Sequence, residues 1–210
     1  MTSPRMDARS FADDVLDRTA ITDVIHRERA ARDGRDWTEM ARHYHPAAHV
    51  DVSWYRGDGA GFVAASRKNA EGTTLSFHQL SASVVTLDGN RALVETSCSL
   101  HGMLELHGAD VAMVGYTRLM WRVQRDEDRW LIAGLRAVYI SDMLLPRNPN
   151  RVPPIDETVL ATFRPSYKYL SYVINATGRH VNDDLPGIDR PETVVALRDA
   201  DRAWLERKTV

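Results

Sequence analysis

The chain carries a single cysteine, Cys98, among its 210 residues. One thiol excludes an intramolecular disulfide framework and any cysteine-rich zinc site, and it fits a reducing compartment. Net positive charge is also lacking: 27 Lys and Arg stand against 29 Asp and Glu, a formal charge of −2. That balance supplies neither the basic field that nucleic acid demands nor a cationic patch for a membrane surface. No apolar run reaches the roughly eighteen residues of a membrane span. The opening "MTSPRMDARSFADDVLDR" is charged throughout and has no apolar stretch of the kind a secretory signal needs. The expectations are therefore no membrane, no nucleic-acid partner and a cytoplasmic location. Internal repeats and low-complexity tracts are absent as well.

What is present is 43% hydrophobic and 27% charged, the composition of a globular protein able to bury a core. Phe11, Val15, Leu16, Ile21, Val24, Ile25 and Ala31 recur mostly at three- and four-residue steps, which predicts an amphipathic helix over 11–32. Gly34 suits the position just past its end. Asp36 followed by Glu39 reads as a capping box for a short second helix, 37–44, closed by Pro46. "AAHVDVSW" alternates as a half-buried strand, and 62–70 reads as helix.

Four long strand candidates follow at 73–87, 91–106, 110–125 and 129–142, broken by "DGN", "HGA" and "DEDR". Tight connections of this kind make an antiparallel meander. The expected class is α+β, a bent, mainly antiparallel sheet wrapped around N-terminal helices. "LLPRNPNRVPPID" holds four prolines and excludes regular structure. Helices are expected again at 165–176 and 192–205, the second with Asp189 placed to cap it and Pro191 in its first turn. Residues 1–145 thus read as the domain. Residues 146–210 read as a Pro-rich connection and helical extension, packing on that domain or on a neighbouring subunit.

Two residues stand out chemically. By strict alternation His78 shares a strand face with Leu80, Ala82 and Val84. An unpaired buried imidazole there would cost roughly 1–3 kcal/mol, so it needs a partner or a cavity. Asp33 ends the first long helix, about 120° around the helix from Ile21. Each alone fits a bland role, a core histidine bonded to backbone and a turn carboxylate. Together they could form an oriented imidazole able to act as a general base. That requires them to meet in space, which spacing does not show.

Other candidates are weaker. His43, His45 and His49 are divided by Pro46 and form no ready tetrahedral face, so no metal is expected. His101 and His107 flank a hairpin. Arg118 and Arg136 lie mid-strand, either paired with Glu95 or Glu105 across the sheet or poised for an anionic substrate group. Glu28, near the centre of the first helix's apolar stripe, should pair with one of those arginines or line a cavity. Trp54, Met103, Tyr116, Trp121 and Tyr139 offer aromatic and soft apolar surface, mostly core with a few at the mouth of a pocket. The expected substrate-binding set is Trp54, Met103, Tyr116, Arg118 and Tyr139. "YKYLSY" at 167–172 is either a lid or a subunit contact.

The order of "ARDGRDW", "YHPAAHVDVSW", "GDGAGF", "SFHQLS" and "RWLI" over residues 10–145 resembles the SnoaL-like branch of the NTF2-like superfamily, cone-shaped α+β barrels. The resemblance extends to its hexachlorocyclohexane dehydrochlorinase, scytalone dehydratase and bile-acid 7α-dehydratase members. It implies that Asp33 and His78 are an orienting carboxylate and a base. The implied reaction is a lyase or isomerase step, an elimination or proton transfer, on a small, mostly apolar cyclic compound, with no metal or cofactor. Two of those dehydratases also carry a tyrosine shortly before the aspartate, where this chain has "ERAAR". The late-strand aspartate of the polyketide cyclases is likewise missing. A homodimer or higher homo-oligomer is expected through the outer face of the sheet. The alternatives are a non-catalytic small-molecule binding module, or a partner resembling the small β subunit of ring-hydroxylating dioxygenases.

Overall fold

The computed structural model describes residues 10–72 and 75–207. The first nine residues of the charged opening stretch, and positions 73–74 of the expected strand, lie outside the described residues. Among the described residues no helix is long and apolar enough to cross a membrane.

Helix α1 runs Phe11–Asp33, capped by the Ser10 hydroxyl accepting from the Asp13 amide. Its buried stripe is Asp17, Ile21, Ile25, Glu28, Arg29 and Ala31, so an apolar middle is flanked by buried charge on either side. The stop differs from the expected glycine cap. Gly34 keeps right-handed backbone, φ −78°, and Arg35 takes the left-handed turn at φ 61°. A Cβ on Gly34 would stand 3.0 Å from the Ala30 carbonyl oxygen, so close approach is what glycine permits there. Helix α2 is Trp37–Ala41, shorter than expected, and Asp36 caps it by accepting from the Glu39 amide at 2.9 Å.

Strand β1 (Tyr44–Val52) turns into a short β2 (Tyr55–Asp58), and Asp58 caps helix α3 (Gly59–Asn69). The meander follows as β3 (Leu75–Asp88), β4 (Arg91–Leu106), β5 (Ala109–Asp126) and β6 (Arg129–Pro146). His107 and Gly108 turn the β4–β5 hairpin with both φ angles positive, at 50° and 79°. That backbone matches the twist of paired antiparallel strands. The sheet order is β2-β1-β6-β5-β4-β3, with β1 running parallel to β6. The result is a curled, unclosed mixed sheet with helices on its inner face, as the α+β reading expects.

One register detail changes the expected face of β3. A bulge lies between Leu80 and Ser83, so Ser83, Val85 and Leu87 turn inward after it. Val84 is 68% exposed. Placing Ala82 and Val84 with His78 is therefore corrected, because an extra residue inverts the two-residue alternation beyond it.

Past β6 the chain forms a short α4 (Glu157–Leu160), a 3₁₀ turn (Pro165–Tyr167), α5 (Lys168–Ala176) and α6 (Pro191–Leu205). Residues 186–188 bond to both backbone groups of Tyr139, at 2.9 and 3.0 Å, and so occupy the edge of β6 beyond the end of β1. Arg164 holds this segment, donating to Asp189, to the Leu185 carbonyl and to the Asp183 carbonyl. Asp189 is thus an ion-pair partner, and α6 starts without any side-chain cap. The "YKYLSY" segment is neither free nor exposed at its tyrosines 167 and 172: Tyr167 stacks on Tyr139 at 4.4 Å, and the Tyr172 hydroxyl meets His107 at 3.2 Å.

Helix α6 crosses to the outer face of the sheet. There the buried Asp201 accepts from both Arg122 and Arg136, while Arg198 reaches Glu95 at 3.1 Å. Removing a shared carboxylate leaves two partly buried guanidiniums facing each other. We predict that Asp201→Ala lowers unfolding free energy by about 3 kcal/mol in urea melts at neutral pH. A loss below about 0.5 kcal/mol, the size of an exposed pair, would show that the helix docks by apolar contact alone.

Candidate functional site

The charged end of α1 faces the first half of β3. The Asp33 carboxylate meets two groups of one residue: Oδ2 accepts the backbone N–H of His78 at 2.7 Å, and Oδ1 lies 2.8 Å from Nδ1 of its ring. Because a carboxylate can only accept, the ring proton sits on Nδ1 and the lone pair on Nε2. The imidazole is thereby fixed in tautomer and in orientation, with its side chain 9% exposed. The structure brings together the two residues that the sequence singled out.

It also surrounds them with groups the sequence reading did not assign to the site. Arg29 and Arg32 come from the same turns of α1. Arg29 Nη1 lies 3.4 Å from His78 Nε2, and Arg32 Nη1 lies 3.3 Å from Asp33 Oδ1. Arg29 also sits 2.9 Å from the fully buried Glu28, whose other oxygen accepts from the Tyr44 hydroxyl at 2.8 Å. Glu28 therefore pairs with its neighbour in sequence and with a β1 tyrosine, and the expected partners Arg118 and Arg136 are elsewhere. The guanidinium of Arg29 lies 5.3 Å from the Trp121 ring, and that of Arg32 lies 6.0 Å from Trp54. The signal for the arginines was legible, since 28, 29 and 32 continue the stripe of Ile21 and Ile25 at helical steps.

These surroundings set the protonation states. Burial, then the charges of Arg29 and Arg32, pushes the His78 imidazole down to about 3, against a smaller upward pull from Asp33. The sequence argument that an aspartate raises basicity is thus overridden by desolvation and two cations. Burial pushes Asp33 up, but the His78 hydrogen bonds and nearby positive charge outweigh it and hold the carboxyl below its usual value. Burial and Glu28 raise the Tyr44 phenol well above its usual range. Burial raises the Cys98 thiol to about 11, which leaves it an inert neighbour.

The remaining candidates are distributed otherwise. Trp54 lies beside Arg32 and packs on Phe62 at 5.3 Å. Tyr139 faces inward in the cross-strand row Leu80–Cys98–Thr117–Tyr139, but its oxygen is committed to the Ser53 amide at 2.8 Å. Met103, Tyr116 and Arg118 are corrected. By register they point to the outer face, Met103 beside Leu75, with Arg118 3.5 Å from Glu95. Alternation along β5 buries Gly115 and Thr117 and leaves Tyr116 and Arg118 outside. Arg136 is held by Asp201, also outside. His43 is buried and bonded to Glu39, His101 stacks on Phe77 at 4.6 Å, and no cluster of metal-ligating side chains occurs among the described residues. A surface groove of about 520 Å³ runs past Asp13, Leu16, Gly89 and Arg125, away from the pair.

A curled, unclosed mixed sheet with helices packed on its inner face is the architecture of an NTF2-like domain. The chain belongs to the SnoaL-like domain family, which residues 13–136 match. Two curated relatives are from Fusarium vanettenii. A PEP2-like protein is 27% identical over 206 residues, covering 93% of this chain and 88% of its own. Pea pathogenicity protein 2 is 26% identical over 198 residues, with 92% and 85% covered. Among solved structures, a type 2 hexachlorocyclohexane dehydrochlorinase (LinA) superposes with a TM-score of 0.57 at 14% identity, covering 70% of this chain and 99% of its own. A Kribbella flavida protein superposes at 0.52 with 18% identity, covering 65% and 94%. These two likenesses show the fold.

The histidine shift has a sign in stability. The folded state binds the His78 proton more weakly than the unfolded chain, whose value is near 6.5. Its stabilising share is therefore complete above about pH 6.5 and is lost as pH falls toward 3. We predict that the stability gap between wild type and His78→Gln narrows by about 2 kcal/mol between pH 7.5 and pH 4.5 in urea melts. A gap independent of pH would mean that the imidazole titrates as an exposed one does.

Proposed function

We propose that the protein is a cofactor-independent lyase or isomerase acting on a small, mostly apolar cyclic compound, with His78 as base and Asp33 as its orienting partner. The observation that carries this is the double grip of Asp33 on the His78 amide and ring nitrogen, at 2.7 and 2.8 Å. It fixes a neutral imidazole whose Nε2 lone pair can accept a carbon-bound proton. In an elimination, Nε2 takes that proton, the C–H electron pair becomes the new double bond, and the leaving group departs with its own bonding pair. The imidazolium so formed stays beside the Asp33 carboxylate, which stabilises it. The similarity to a hexachlorocyclohexane dehydrochlorinase supports this class of chemistry.

A binding module without chemistry is the competing reading. It is favoured by Arg29 Nη1, which stands 3.4 Å from the very lone pair a base must use. The two readings separate in an assay of chloride release from hexachlorocyclohexane and of water loss from β-hydroxy cyclic ketones, with products followed by mass spectrometry. The enzyme reading expects turnover that His78→Gln lowers by about 100-fold or more, and that Asp33→Asn lowers less. Turnover unchanged in His78→Gln would remove His78 as the base. Ligand binding without turnover by wild type would favour the module.

Self-association belongs to the same proposal. Helix α6 covers part of the outer face, and beyond it Leu75, Phe77, Met143 and Leu145 remain exposed in adjoining cross-strand rows. An apolar face of that kind is a contact surface in soluble proteins. Phe77→Asp with Leu145→Asp is predicted to convert an oligomer to monomer in sedimentation velocity. A wild-type protein that sediments as a monomer at 100 µM, on the order of ordinary weak dimer affinities, would refute the contact.

A further inference from the structure

The two arginines beside His78 are more than neighbours of a base. Arg29 is 96% buried, being 4% exposed, yet its Nε and Nη2 and the Nε of Arg32 have no hydrogen-bond partner. Arg29 Nη2 does lie 2.9 Å from Glu28, as an ion pair without hydrogen-bond alignment. Each guanidinium carries five N–H donors in a rigid fork. Both Asp33 oxygens are engaged by His78 and one Glu28 oxygen by Tyr44, while the other Glu28 oxygen, Oε2, faces Arg29 Nη2 out of alignment and has no hydrogen-bond partner of its own. The Arg32 Nη1 contact with His78 Nδ1, at 3.4 Å, sets donor against donor, because Nδ1 already carries the proton given to Asp33. Buried donors left unmet each cost about 1–3 kcal/mol, a cost that a bound acceptor would remove.

We propose that Arg29 and Arg32 together form the recognition point for a carboxylate carried by a small apolar substrate, next to His78. A carboxylate presents two coplanar oxygens that match a guanidinium fork, which a point charge does not. The rest of the surroundings suits an apolar body: the indoles of Trp54 and Trp121 lie under the two guanidiniums, and Leu80 and Leu100 flank His78 on the sheet. Engagement of Arg29 by that carboxylate draws its Nη1 away from Nε2 and offsets the positive charge facing the imidazole. The anion that is recognised thus also exposes the base. For the chemistry this rests on the elimination reading, but the binding step does not need it.

The test is calorimetric, with benzoate and its neutral isostere benzamide as probes at matched pH and ionic strength. Wild type is expected to bind benzoate at least about tenfold more tightly than benzamide. Arg32→Gln should abolish that preference, and Arg32→Lys should keep part of it. Circular dichroism checks folding, and the double variant Glu28→Gln/Arg29→Gln, which removes a buried pair together, should lose the preference as well. Equal affinity for the two probes, or binding of neither, overturns the subsite. Displacement of benzoate by millimolar chloride, at constant ionic strength, would assign the arginines to a halide and also overturn it. A benzoate preference in a protein that performs no elimination leaves the subsite standing while the enzyme reading falls. Elimination with no such preference gives the reverse result.

Discussion

The carboxylate of Asp33 joins the last turn of α1 to the edge strand β3 by holding the amide and the ring of a single residue. Those two bonds do structural and chemical work together. They satisfy a backbone donor on the edge strand, which water would have to serve if the helix were displaced. They also select the tautomer that turns Nε2 toward the interior. The contact seats the end of α1, while Ile21 and Ile25 in the core, Asp17 with Arg125 and Trp130, and Arg18 with the Val85 carbonyl seat the rest of the helix.

Around it lies an unusual concentration of buried charge. Glu28, Arg29, Arg32 and Asp33 occupy two adjacent turns, and with a neutral His78 their formal charges cancel. Charge balance makes burial tolerable, but hydrogen bonding is incomplete at Glu28 Oε2, Arg29 Nε and Nη2 and Arg32 Nε. The imidazole stays neutral because desolvation and two cations act against it.

The C-terminal extension uses ion pairs of a different kind. Arg164 pairs with Asp189 within the segment beyond β6, and Asp201 with Arg122 and Arg136 ties α6 to the sheet. The two fungal relatives align over 93% and 92% of this chain, and the dehydrochlorinase structure over 70% of it. With α6 lying on part of the outer face, Leu75, Phe77, Val84, Tyr116, Met143 and Leu145 remain exposed.

Local pattern in the sequence determined the long helices and strands in their order, the three hairpin breaks and the class of fold, but not the short β2 and α4, because three- to four-residue and two-residue periodicities report which face of a helix or strand is buried only over several residues. His78 was legible for the same reason, as a polar residue where an apolar one was due, whereas Asp33 was singled out by the family resemblance and not by its position on the helix. Tertiary structure alone decided the rest. A bulge at 80–83 inverted the outer half of β3, sheet register sent Met103, Tyr116 and Arg118 to the far side, and Arg136 was claimed by a helix 65 residues away. Whether a buried histidine is basic or suppressed depends on charges brought within a few ångströms by packing. Periodicity identifies the buried face, and only the assembled fold specifies what that face meets.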